Sequence, residues 1–187
     1  MNSMHLKRKS AGANDKARQP VGAKRQRGAS LLEAIAYLGI AAVVVLGAVS
    51  LLNGAFGSAK SNQTSEELVA LRTAVRKLYL GQSYPAESLN ATIINAGAAP
   101  ATLVRGAAAG SLTNGWGGAV TVTGVGATFT ITYAGLPKDV CMNVVSGASG
   151  WTSIGTGEGA ITLFPATAAN ATTQCAADAN NVTFTAS

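Results

Sequence analysis

The sequence predicts an α+β protein: a long N-terminal α-helix packed on a small antiparallel-sheet head, with a disulfide toward the C-terminus. Three observations predict it. No charge occurs from Ala34 to Ala59, and the apolar pattern continues beyond as a helical stripe. Two runs of alternating apolar and hydroxyl residues flank Gly124-Val125-Gly126, as in an antiparallel hairpin. Cys141 and Cys175 lie beyond an export-type helix, where oxidising conditions make a disulfide the default.

Residues 1–27 are polar and basic, include Pro20, and show no apolar periodicity. Together with Gly28 they read as a leader, 1–28, that is removed and takes no part in the fold. Residues 1–28 hold eight Lys and Arg against Asp15, or +7, and the remainder holds six against seven acids, or −1. The formal charge of +6 therefore belongs to the leader. A basic arm can bind nucleic acid by neutralising phosphates. Joined directly to an apolar helix, it reads instead as an orientation signal that keeps this end cytoplasmic, with no nucleic-acid partner.

The long helix is expected over 29–80, in two halves. In the apolar half, 29–53, the basic residues Lys24, Arg25 and Arg27 stop at Gly28, and Ala29, Ser30, two leucines and Glu33 follow. At ~1.5 Å per residue, Ala34–Leu52 spans roughly 28 Å, close to a bilayer core. Gly39 and Gly47 permit close approach of other helices. A secretory signal would place its small-residue cut point after such a run, whereas here it lies before. Glu33 has two readings. It sits in the headgroup region and favours the helix N-terminus through the dipole, or it awaits a cationic partner, since a carboxylate at full depth costs a few kcal/mol. In the amphipathic half, 58–80, Leu68, Leu71, Val75 and Leu78 form one stripe, with Arg72, Arg76 and Lys77 on the other face. Asn53, Gly54 and Gly57 between the halves are candidates for a kink, unless packing keeps the helix continuous.

The head is expected over 81–187. Gly81 stops the helix. Ser83-Tyr84-Pro85 opens a second helix through about Asn95. Gly97–Gly110 reads as a loop. Strands are expected at Ala119–Thr123 and Thr128–Tyr133, with one buried face and one Thr-lined face, and Trp116 is expected to pack a core edge. Leu136-Pro137-Lys138-Asp139 starts a third helix through about Ser146, which carries Cys141. Short strands at Trp151–Ile154 and Ala160–Phe164, a short helix over Ala166–Cys175 and a last strand over Val182–Thr185 complete the chain. Aromatic residues make up 5% and charged residues 12%, so such a small-residue head has few large side chains for a core. A Cys141–Cys175 bridge closing 34 positions would contribute ~3–4 kcal/mol. The alternative is two buried free thiols.

Catalytic chemistry finds little support. The single histidine, His5, lies in the leader, so a mature chain lacks Ser-His or Cys-His pairs and His-based metal sites. Glu33, Glu66, Glu67, Glu87, Asp139, Glu158 and Asp178 show no spacing that promises a carboxylate pair. Gly155-Thr156-Gly157-Glu158-Gly159 lacks the Lys and Ser/Thr of a phosphate loop and reads as a turn. Asn62, Asn90, Asn170 and Asn181 head Asn-X-Thr triplets that an Ala/Asn/Thr-rich chain produces by chance. No enzyme activity, cofactor or metal is expected.

GASLLE followed by a long apolar helix resembles the class III signal of type IV pilins: a Gly cut site, a hydrophobic stretch and Glu as the fifth mature residue. The long leader, with YLGQSY and LPKDVC further on, resembles the type IVb branch, nearest the thin-pilus pilins of conjugative plasmids and the bundle-forming pilins. Ala29 departs from the larger apolar residue usual at the first mature position. The resemblance implies cleavage by prepilin peptidase between Gly28 and Ala29 and N-methylation of Ala29. It implies residence in the inner membrane, then polymerisation by the assembly machinery into an extracellular homo-oligomeric helical filament. There, Glu33 neutralises the Ala29 amine of a neighbour. The disulfide-bounded segment corresponds to the variable surface region. The expected role is a structural subunit in adhesion, aggregation or conjugative mating. Alternatives are a minor pilin or type II secretion pseudopilin and, more distantly, a membrane-anchored periplasmic binding protein or enzyme.

Overall fold

The computed structural model describes residues 30–157 and 159–187. The expected leader, 1–28 with His5 and Gly28, and also Ala29 and Glu158, lie outside the described residues. Backbone contacts divide the chain into Met1–Val43 and Val44–Ser187.

In the first unit, the described residues form the opening of helix α1, which spans Leu31–Leu78 in all. Its side chains there are exposed, including Leu31, Leu32, Ile35, Leu38 and Ile40. In the second unit α1 runs unbroken through Gly54 and Gly57. A mid-helix Gly costs about 1 kcal/mol against Ala, and docking further along offsets it. Leu68, Leu71 and Val75 are buried in one core with Phe129, Ile131 and Phe184. The three-and-four spacing thus marks the face that meets the sheet. The helix ends where Gly81 takes φ 77°, a conformation open to glycine at little cost.

The second helix is shorter than expected. Tyr84–Leu89 runs along the edge of strand β3 (Val120–Val125), and α2 covers only Asn90–Asn95. Tyr84 and Gly126 exchange main-chain bonds of 2.8 and 3.1 Å, and Leu89 N–H donates to Val122 O at 2.8 Å. Tyr84 also packs edge-on against Phe129, with centroids 4.9 Å apart. Edge pairing and aromatic burial therefore override the local helix signal at Pro85. Gly124 makes the approach possible, since a Cβ there would collide with the Pro85 carbonyl.

Part of the expected loop 97–110 is also ordered: β1 (Val104–Arg105) pairs with β2 (Leu112–Thr113). Buried Leu103 and Leu112 anchor this small ribbon. The main sheet has the order β3-β4-β7-β5-β6, with β4 Thr128–Pro137, β5 Ser153–Gly155, β6 Ala160–Ile161 and β7 Ala179–Ala186, all pairs antiparallel. The β3–β4 hairpin turns at Gly126, φ 68°, and Ala127. Val120, Val122, Phe129, Ile131 and Tyr133 point into the core. On the opposite face Thr132 and Thr183 meet hydroxyl to hydroxyl at 2.9 Å.

Strand β4 extends past a register shift to Pro137, so Leu136-Pro137 closes a strand, and α3 spans Lys138–Gly147. The C-terminal strand β7 is central, between β4 and β5, and longer than the expected Val182–Thr185. Its extra residues are Ala179, Asn180, Asn181 and Ala186; asparagines are poor strand formers, and the bonds of these two explain their place. Buried Asn180 donates to Leu136 O at 3.3 Å and Ala177 O at 2.7 Å, and Asn181 Oδ1 accepts from Gly135 N at 3.1 Å. β6 is shorter than the Ala160–Phe164 expected. α4 covers Ala168–Gln174, capped by Thr167 Oγ1, which accepts from Asn170 N at 3.2 Å.

Candidate functional site

Glu33 lies in the first turn of α1 and is exposed, as are the apolar residues that follow. Its N–H donates to Ser30 Oγ at 3.2 Å, so Ser30 caps the helix. Ser30-Leu31-Leu32-Glu33 has the S-x-x-E spacing of a capping box, a local signal the sequence reading passed over. Tyr37, one turn on, donates to Glu33 Oε1 at 3.5 Å. An acid in the first turn also suits the dipole. The apolar half contains an 18-residue window of mean hydropathy 2.5, none of it buried, long and apolar enough to cross a membrane. Gly28 and Ala29, between which the cut is expected, lie outside the described residues.

Within Val44–Ser187, polar contacts join α1 to the head. Glu67 is 3% exposed, accepts from Gln63 Nε2 at 2.9 Å, and accepts from Tyr133 Oη at 3.1 Å. Burial raises the Tyr133 phenol pKa well above its usual value, and the Glu67 charge and hydrogen bond raise it further. Arg72 Nη1 donates to Ser149 O at 3.0 Å and Gly150 O at 2.7 Å, and its guanidinium lies 4.9 Å over the Trp151 ring. Burial, then the neighbouring Arg76 charge, lowers the Arg72 pKa. Arg76 Nε donates to the main-chain oxygen of Ser187 at 2.7 Å. Lys60 Nζ donates to Gly115 O at 3.1 Å and stands 4.7 Å over Trp116. These cations meet loop carbonyls and indole faces from distant parts of the chain. Charge spacing along α1 gave no sign of either.

Cys141 on α3 and Cys175 after α4 form a disulfide with Cα atoms 5.8 Å apart, both fully buried. The bridge closes the segment between them and fastens α4 to α3. Of the Asn-X-Thr sites, Asn90 is buried and fully used: it donates to Gly110 O and Val120 O and accepts from Val122 N, each at 2.8 Å. That leaves no room for modification. Among the described residues no group of His, Cys, Asp and Glu is arranged to hold a metal ion.

Residues 58–187 match the family described as PilS N terminal. A comparison with the curated proteins returned no match. Among solved structures, the crystal structure of type IV b pilin from Salmonella typhi is similar. It is 25% identical, with a TM-score of 0.52 over 65% of this chain and 94% of that one. The long helix, the antiparallel sheet and the buried disulfide fit that fold. The matched segment takes in the amphipathic part of α1 and the whole head, and on that match the chain belongs to the PilS family of type IVb pilins.

Proposed function

We propose that this pilin is the major subunit of a type IVb pilus, cut by prepilin peptidase after Gly28 and N-methylated at Ala29. The subunit waits in the inner membrane by residues 29–53. The assembly machinery then draws it into an extracellular helical filament for adhesion, aggregation or mating. The observation that carries this reading is Glu33: an acid in the opening turn of an exposed, otherwise apolar helix, capped by Ser30 and held only loosely by Tyr37. The exposed apolar side chains need a lipid or protein environment. In a bundle of such helices, an isolated carboxylate would be costly. The Ala29 amine of a neighbouring subunit, created by the cut, pairs with it and sets register as much as strength.

The test has two arms. Mass spectrometry of the mature protein is expected to find Ala29 as the first residue, with one added methyl group. Glu33→Ala is expected to leave cleavage intact and abolish filaments in electron micrographs. A mature N-terminus beyond Leu52, or normal pili from the Glu33 variant, would overturn the reading.

A further inference from the structure

A cavity of ≈ 220 Å³ lies between β6 and α4, inside the disulfide-bounded segment, lined by Ile161, Thr162, Leu163, Asn170, Thr173 and Gln174. The lining carries no charge among the described residues, and its polar groups are two amides and two hydroxyls. Gln174 is 8% exposed. Its Oε1 accepts from Thr156 Oγ1 at 2.6 Å, which fixes the amide. No acceptor engages its Nε2 among the described residues, and the amide lines the cavity. Thr173 Oγ1 donates to Ala169 O at 3.1 Å, leaving its lone pairs as acceptors. The Asn170 side chain is exposed and uses only its main-chain N–H within α4. Leu163, 81% exposed, supplies an aliphatic rim.

Both walls are held. β6 pairs with β5 through Ile154↔Ile161 and Gly155↔Ala160, and Gln174 precedes the bridged Cys175. A site fixed at both ends loses little freedom when it binds. Its volume lies below the ~300–1,000 Å³ of drug-sized pockets. Neutral amides and hydroxyls beside an aliphatic edge suit a small, uncharged, hydroxyl-rich ring. Among the described residues an acidic ligand would find no cation in the lining, and a basic one no carboxylate. We infer that this cavity is a binding site for a single neutral sugar unit, such as the exposed end of a glycan. One such site binds weakly, on the order of 1 mM. The pilus reading is needed only for avidity, where repeated copies can raise apparent affinity by ~10²–10⁴.

The experiment uses the full chain in detergent, unassembled, so it does not depend on filament formation. Methyl glucoside, methyl galactoside and N-acetylglucosamine are titrated singly while the side-chain amide NMR signals of Asn170 and Gln174 are followed. At least one sugar is expected to shift both signals saturably, with glucuronic acid at least tenfold weaker. Asn170→Ala and Thr173→Val, both exposed on α4, are each expected to weaken binding at least tenfold with unchanged main-chain spectra. No shift with any of the three sugars would overturn the inference. So would equal binding of glucuronic acid, or full binding by both variants. Loss of pili with sugar binding retained would overturn the pilus reading and leave this site standing.

Discussion

Removing one phenolic oxygen, by Tyr133→Phe, tests the join between α1 and the sheet. The ring is fully buried in the core, and Phe preserves its packing. What is lost is the 3.1 Å bond to Glu67, itself 3% exposed. A hydrogen bond to a charged group is worth about 1.5–3 kcal/mol net. After the change Glu67 retains Gln63 as its donor. A loss of about 2 kcal/mol is therefore expected, or roughly 4–8 °C in Tm for a domain of this size. Urea unfolding of the oxidised full chain in detergent can be followed by the fluorescence of Trp116 and Trp151. The same substitution in a Glu67→Gln background should cost at least 0.5 kcal/mol less, because neighbours that share a bond are not additive. A cost below about 0.5 kcal/mol for Tyr133→Phe, or strict additivity with Glu67→Gln, would refute the claim that this pair anchors the helix.

The same phenol sets a pH dependence. Its folded pKa lies above the unfolded value of about 10, so the stability it contributes is complete below pH 10 and is lost as pH rises further. The unfolding free energy from urea titration should fall between pH 10 and 11, by at most about 1.4 kcal/mol per pH unit from this group, and Tyr133→Phe should remove that part of the slope. Opening the Cys141–Cys175 bridge, by reductant or by paired Ser substitutions, should cost about 3–4 kcal/mol in calorimetry. An unchanged Tm would show the bridge to be dispensable. Leu71→Ala, at a fully buried position on the docking face of α1, should cost about 2–5 kcal/mol of the same unfolding free energy.

Much of the head was legible because its signals are local. Alternation of Val and Thr placed the β3–β4 hairpin within about a residue of Val120–Val125 and Thr128–Pro137 on its N-terminal side. The spacing of Leu68, Leu71 and Val75 identified the buried face of α1. The two cysteines, with an export-type helix before them, pointed to their bridge. Where the reading went astray, a distant partner had decided the matter. Ser83-Tyr84-Pro85 carries a real helix-start signal, yet its backbone pairs with a strand some forty residues on. Asn180 and Asn181 look like turn residues until Leu136 and Gly135 supply their partners.

Features that depend on neighbours along the chain follow from the sequence alone: the apolar helix with an acid in its first turn, the amphipathic continuation, the hairpin and the net positive charge of residues 1–28. Each rests on periodicity, composition or spacing, which operate over a few residues. The meeting of Tyr133 with Glu67, the seating of Arg72 and Lys60 over Trp151 and Trp116, and the place of the last strand in the middle of the sheet come from the fold as a whole. Those contacts join residues dozens of positions apart. Closing such long loops is costly in entropy whatever the local sequence, and the contacts form only because the whole core repays it.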